Sequence, residues 1–350
     1  MVFTAPFWGC LEGNTDQSAS WRVRTPARQI AFELHPTRVV GDTAPLPSAD
    51  PSSAGTYGDT DGMLHAVSGV VDAGHVVYVL DASFRKIVAF GPQGEARVVA
   101  AGVGNGPGEF ENPTDLSLGP DGRLYVLDPG NARISVFNAD GGLHGDFPVD
   151  RPLLSIVATD DGVVGSKVIR SGRHALFKYS LAGEPVDSFV EVEPRWRAAA
   201  ADGASGMIGT SWNGRPFYLA PIPGTVGELS GEVAAFVEYP RLRSVEVGEG
   251  RSSLDFFPVS VHTGRRYRDG QMIITYYDAK PDALANGELQ VKMFVDVFQG
   301  EVYSGSAVLE EPDAVLKYSW LAPDRPALWV QVNSPHPRVQ RYELRSKNPE

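Results

Sequence analysis

Tyr78-Val-Leu-Asp81-Ala-Ser-Phe-Arg-Lys86-Ile-Val-Ala-Phe90-Gly-Pro-Gln-Gly94 and Tyr125-Val-Leu-Asp128-Pro-Gly-Asn-Ala-Arg133-Ile-Ser-Val-Phe137-Asn-Ala-Asp-Gly141 superimpose without a gap, 47 residues apart. Tyr, Asp, a basic residue, Ile, Phe and Gly fall in register. Each copy reads as strand, turn, strand, turn. Leu124 and Val126, then Ile134 and Val136, alternate with the period of two that a strand imposes. One such unit cannot bury both of its faces, so the repeat predicts several units stacked side by side.

The signal continues outward. Turns of Asp-Gly type precede strand patterns at Asp121-Gly122, Asp161-Gly162, Asp202-Gly203 and Asp269-Gly270, with Gly74 and Asp324 in the equivalent places at either end. That spacing predicts six units. Pro113, Pro152, Pro194 and Pro258 open the strand before each turn, where the first residue needs no N–H. The wider spacing from the fourth to the fifth turn predicts an insertion around 221–255. Residues 29–34 are a candidate N-terminal strand closing the last unit, and 43–62, rich in Pro, Ser, Gly and Asp, reads as an exposed loop. The best helical candidates, 197–201 and 282–286, are short.

The stretch from Gly104-Asn-Gly-Pro-Gly-Glu-Phe110-Glu-Asn-Pro113 through Phe137 resembles an NHL repeat. A Gly-rich lead, Phe and Pro are followed by Pro-Asp-Gly-x-Leu-Tyr-Val-x-Asp and then Asn-x-Arg-Ile-x-Val-Phe. The likeness is specific over 69–146 and weaker beyond. It implies four-stranded blades around a central channel, as in propellers of bacterial secreted proteins and lipoproteins. The expected fold is therefore all-β: one domain over 21–346, a six-bladed β-propeller of four-stranded antiparallel blades, with the N-terminal strand closing the ring.

Composition bounds the function. The 350 residues carry 31 Lys+Arg against 43 Asp+Glu, a net charge of −12, which argues against a nucleic-acid partner. Apolar residues make up 42%, enough for a large core. No run of 18 apolar residues exists to span a membrane as a helix. Cys10 is the single cysteine, so neither an intrachain disulfide nor a Cys-based zinc site can form. The apolar start ending in Gly9-Cys10, followed by a polar stretch, resembles the tail of a lipoprotein signal. Residues 1–20 are thus expected to be a signal remnant and tether, with Cys10 a candidate for lipidation and an extracytoplasmic location, in the periplasm or at the cell surface.

Compact catalytic motifs are missing from the sequence. Gly102-Val-Gly104-Asn-Gly106-Pro-Gly108 lacks the following helix that a phosphate loop needs, and reads as a turn between units. Asp128 with Arg133, and Asp81 with Lys86, are expected to pair across their turns. None of the seven histidines has metal-ligand spacing, although His65 and His262 fall near the starts of inner strands. No Gly-x-Ser-x-Gly is present, and no metal or cofactor is assigned.

One cluster stands out in this acidic chain. The loops before inner strands, together with those between second and third strands, are expected to share a face and to bring together Arg170, Arg173, Arg195, Arg197 and Arg215, with Arg151 and Arg338 nearby. Trp196, Trp212 and His262 are expected among them. Arg offers a fork of donors to carboxylate or phosphate. The expected function is a monomeric binding propeller that takes a small anionic molecule or another protein on that face. The alternative is a metal-dependent lyase or hydrolase with its site at the channel mouth.

Overall fold

The computed structural model describes residues 29–41, 62–150, 152–167, 169, 172–194, 196–197, 206–220, 225–229, 231, 233–235, 260–279, 291–309, 314–333 and 335–347. Every extended element in it is a strand. β1 (Phe32–Val40) comes first. β2 (Val67–Asp72), β3 (Val77–Asp81), β4 (Lys86–Phe90) and β5 (Ala96–Ala101) pair in chain order as an antiparallel sheet. β6 (Asp115–Leu118), β7 (Leu124–Asp128), β8 (Arg133–Phe137) and β9 (Leu143–Pro148) form the second. β10 (Leu153–Thr159), β11 (Gly162–Lys167), β12 (His174–Tyr179) and β13 (Pro185–Glu191) form the third.

The next eight strands are β14 (Met207–Ser211), β15 (Pro216–Leu219), β16 (Thr225–Gly227), β17 (Val233–Ala235), β18 (Ser260–Arg266), β19 (Gln271–Ala279), β20 (Val291–Gln299) and β21 (Val302–Leu309). They make one continuous sheet in the order β17-β16-β15-β14-β18-β19-β20-β21. β22 (Ala314–Leu321), β23 (Ala327–Val332) and β24 (Arg338–Ser346) follow, and β1 lies antiparallel on β24 as the outer strand, from Phe32 against Ser346 to Val40 against Val339. The N-terminal strand thus starts and ends later than the sequence pattern suggests.

The expectation of six separate four-stranded blades is corrected by this topology. Four sheets are four-stranded antiparallel blades, and eight strands belong to a single sheet joined by parallel pairing of β14 and β18, Thr210 opposite Arg265 and Ser211 opposite Arg266. The cause is local. A Cβ on Gly209 would lie 2.8 Å from the Gly264 carbonyl oxygen, and one on Gly264 would lie 2.8 Å from Leu219. Two glycines without side chains let the strands approach to hydrogen-bonding distance. The joined sheet is folded at that seam, because Phe217, Leu219 and Val226 of one half share an apolar cluster with Met272, Ile274, Phe294 and Phe298 of the other.

Elsewhere sheets meet face to face. Val77 and Val79 pack with Trp329 and Val339, bringing the first sheet against the last, and Leu127 and Ile134 pack with Ile156 and Phe177. The first strands form a closed circuit: β2 touches β6 and β22, β6 touches β10, β10 touches β14, and β18 touches β22. Side chains stitch neighbours that lack a backbone ladder. The Ile156 N–H donates to Asp115 (2.7 Å) and the Ala158 N–H to Ser117 (3.0 Å), tying β6 to β10 in parallel sense. Gln331 closes the circuit, accepting from the Val67 N–H (2.9 Å) and donating to the His65 carbonyl (2.8 Å).

The repeated Asp and Arg work differently from the pairing expected. Among the described residues Asp128 and Arg133 close no ion pair with each other, although they sit opposite in the β7–β8 ladder. Asp128, fully buried, accepts from the Glu111 and Asn112 N–H groups and from Asn131 Nδ2 (3.0, 2.9 and 2.8 Å). Arg133 donates to the carbonyls of Gly106 (2.6 Å) and Glu109 (2.8 Å). Together they hold the Gly-rich loop that leads into β6. Asp81 repeats the role, accepting from the His65 and Ala66 N–H groups (2.5 and 3.4 Å) just before β2, and burial raises its pKa despite those bonds.

Candidate functional site

Ringing β2, β6, β10, β14, β18 and β22 around one axis leaves a central cavity of about 430 Å³. Its wall is mainly small and polar or branched and apolar, including Thr114, Ser155, Thr210, Thr263 and Ser319. Among the described residues three charged ones line it: Asp72, Asp115 and Arg265. Asp72 is engaged by Trp329 Nε1 (2.9 Å) and lies 3.6 Å from Arg341 Nε. The other two have no ion-pair partner among the described residues.

Arg265 reaches the cavity from the seam that fuses the long sheet. Its Nη1 donates to Thr210 Oγ1 (2.8 Å), and its guanidinium stands 6.0 Å from the Tyr267 ring centre. Its Nε is buried without a hydrogen-bond partner. Among the described residues no carboxylate lies within ion-pair distance of it. Burial lowers its pKa, offset in part by Tyr267 and Asp324. A guanidinium that lines a cavity and has no carboxylate paired to it among the described residues can offer its outer N–H groups to an acceptor there, while the sealed Nε lies out of a ligand's reach.

Asp115 faces the same cavity from β6. Its oxygens accept from the Leu116 N–H (2.9 Å) and the Ile156 N–H (2.7 Å). These bonds favour the carboxylate, yet burial outweighs them and pushes the pKa up from 3.8 to about 7. It touches the cavity while lying away from bulk solvent, and among the described residues no cation is within ion-pair distance.

The residues expected from sequence are distributed rather than gathered. Arg170, Arg195, Arg151 and Cys10 lie outside the described residues, as does most of 43–62. The insertion expected around 221–255 contributes β16 and β17, and 236–259 lie outside the described residues. Trp196 is fully buried between sheets, 5.7 Å from the Tyr218 ring centre. Arg197 follows it in a short turn whose N–H donates to the Glu193 carbonyl (3.3 Å). Arg173 pairs with Glu191 (3.3 Å) on an exposed turn between β11 and β12. Arg338 opens β24.

Trp212 and Arg215 occupy the turn between β14 and β15. Antiparallel topology puts that turn on the opposite face from the loop before β14, where Arg197 lies, and from the β11–β12 turn of Arg173. Trp212 is 48% exposed, with the Arg268 guanidinium 4.8 Å over its ring. Arg215 lines a second cavity of about 380 Å³ with Asp161 and Lys178, which pair with each other. His262 belongs to β18, and its side chain lies outside the described part. Among the described residues no three His, Cys, Asp or Glu side chains converge on a metal position, and no helix is long and apolar enough to cross a membrane.

A channel enclosed by radially packed antiparallel sheets defines a β-propeller. Residues 110–137 match the NHL repeat family, so the chain is a propeller that carries an NHL repeat. The repeat spans the end of the Gly-rich loop through β8. No curated protein matches the sequence. Among solved structures, a member of the duf4221 family from Bacteroides vulgatus has 11% identity and a TM-score of 0.59, covering 91% of this chain and 100% of its own. A Bacteroides fragilis protein designated as exported has 9% identity and a TM-score of 0.58, with coverages of 92% and 98%. A gluconolactonase from Xanthomonas campestris has 13% identity and a TM-score of 0.51, with coverages of 93% and 100%. At these identities the likeness is one of fold.

Proposed function

We propose that this propeller binds a small anionic molecule in its central channel, with Arg265 as the principal contact. One observation carries the reading: a half-buried guanidinium, with no carboxylate within ion-pair distance among the described residues, lines a cavity of about 430 Å³. The cavity's size falls within the range of small-molecule sites. Thr210, already bonded to Nη1, fixes the orientation of the fork, so little side-chain freedom is lost when an anion arrives. The loop arginines near Trp196 and Trp212 contribute less to this reading than the channel does, because those described divide between two faces.

The test is calorimetric titration of the full chain with phosphate, sulfate, acetate and citrate, alongside Arg265→Met, which keeps the volume and removes the charge. Binding of at least one anion is expected, weakened about tenfold to a hundredfold by the substitution while circular dichroism is unchanged. Equal affinity in both proteins would sink the reading. The apolar segment before Cys10 supports an extracytoplasmic location with a lipid on that cysteine. Cell fractionation with mass spectrometry of the Cys10 peptide tests it, and an unmodified cytoplasmic product would count against it.

A further inference from the structure

We infer that the channel ligand is bifunctional: a small molecule with an anionic group for Arg265 and, several ångströms away, an ammonium or hydroxyl group for Asp115. The inference rests on the anion-binding reading of Arg265 and adds the chemistry of the opposite end.

The circuit of first strands fixes the relation between the two residues. From β6, passing through β10 and β14 leads to β18, and passing through β2 and β22 leads to the same strand. β6 and β18 therefore stand opposite in the circuit, and Asp115 and Arg265 line the same cavity from opposite strands. The turns give their levels. Gly119 and Tyr267 hold equivalent places, each donating its N–H to the residue four positions on, Arg123 or Gln271, and accepting from Gly122 or Gly270. Asp115 lies four residues before its turn and Arg265 two residues before its own. The offset along the axis is about two residues, or about 7 Å.

Two opposite charges are thus held apart on facing walls of one cavity, neither with an ionic partner among the described residues. Taking each partly out of water costs free energy that a mutual ion pair would offset, and the geometry denies them that pair. A ligand with complementary ends offsets both costs in one binding event. Asp115 also keeps acceptor capacity, because two backbone N–H groups occupy only part of a carboxylate's lone-pair sites. Its neutral form could donate to a hydroxyl, and its ionised form would attract an ammonium.

The test is a molecular ruler. At pH 8 the full chain is titrated with ω-aminocarboxylates from glycine to 6-aminohexanoate, and with unsubstituted carboxylates from acetate to hexanoate. One chain length should bind about tenfold to a hundredfold tighter than its unsubstituted counterpart. Asp115→Asn should erase that advantage and leave carboxylate binding intact. The length series on the natural chain stands even where the variant fails to fold. Equal affinity of the two series at every length, or an advantage that survives Asp115→Asn, would overturn the inference and leave the anion reading standing. No binding by either series, in a protein that also ignores the inorganic anions, would overturn both.

Discussion

Asp115→Asn should change how stability depends on pH. In the unfolded chain this carboxyl titrates at 3.8, and in the folded channel at about 7. A group whose folded pKa is raised favours the folded state fully below the lower value and loses that contribution as pH rises through the upper one. Between the two, the folded protein holds a proton that the unfolded chain has released. Stability then falls by about 1.4 kcal/mol per pH unit, or about 4 kcal/mol across the window. That figure is an upper bound, since Asp115 keeps part of its accessible surface and solvent there favours the carboxylate. Asn removes the titration. It retains one acceptor for the Leu116 or Ile156 N–H and turns a donor toward the other, a pH-independent cost of about 1–3 kcal/mol. The two proteins are to be compared by urea denaturation from pH 4.5 to 8.5. The wild type should lose stability relative to the variant as pH rises, and level off above 7. Contributions from Asp81, raised by burial, and from Asp161 and Glu343, held low by Lys178 and Arg341, cancel in the difference. A flat difference across the range would refute the assignment of Asp115 as a desolvated channel acid.

Two further outcomes follow from the packing. Deleting residues 1–40 removes β1 and bares the β24 ladder from Val339 to Ser346; the melting temperature should fall, with aggregation through the exposed edge, and an unchanged melting temperature would show that β1 is dispensable. Asp128→Ala strands the Glu111 and Asn112 N–H groups beneath the Gly-rich loop; a loss of about 3 kcal/mol in urea denaturation is expected, and a loss under about 1 kcal/mol would mean water replaces the carboxylate.

What could be read from the sequence, and what could not, divides by the range of the interaction. Tyr78–Gly94 and Tyr125–Gly141 disclosed the hairpins because strand period and turn chemistry are local. Blade separation was not local. It depended on Gly209 meeting Gly264, residues in different turn-to-turn units whose approach only ring closure decides. The same holds for the site. Arg173, Arg197, Trp212 and Arg215 drew attention as basic and aromatic residues in loops, yet alternating turn faces separate the first two from the last two. Trp196 looked like a ligand platform and is core, since its neighbours Tyr218 and Ile208 come from the following strands.

Arg265 is a charged residue in the row of an inner strand, a position legible in the sequence. It follows Thr263 at a spacing of two on an inner strand, where Asp115 and Ser117 hold the corresponding places of β6. A cation in that row either meets a carboxylate across the channel or keeps its charge for something that enters. The β6 position facing it could have supplied the carboxylate at contact distance, and then the channel would be a closed structural pair. Instead Asp115 sits about two residues lower, tied to β10 by the Ile156 N–H. That stagger separates a latent ion pair into two subsites, and it is the reason the channel, rather than the arginine-bearing loops, is the place to look for the ligand.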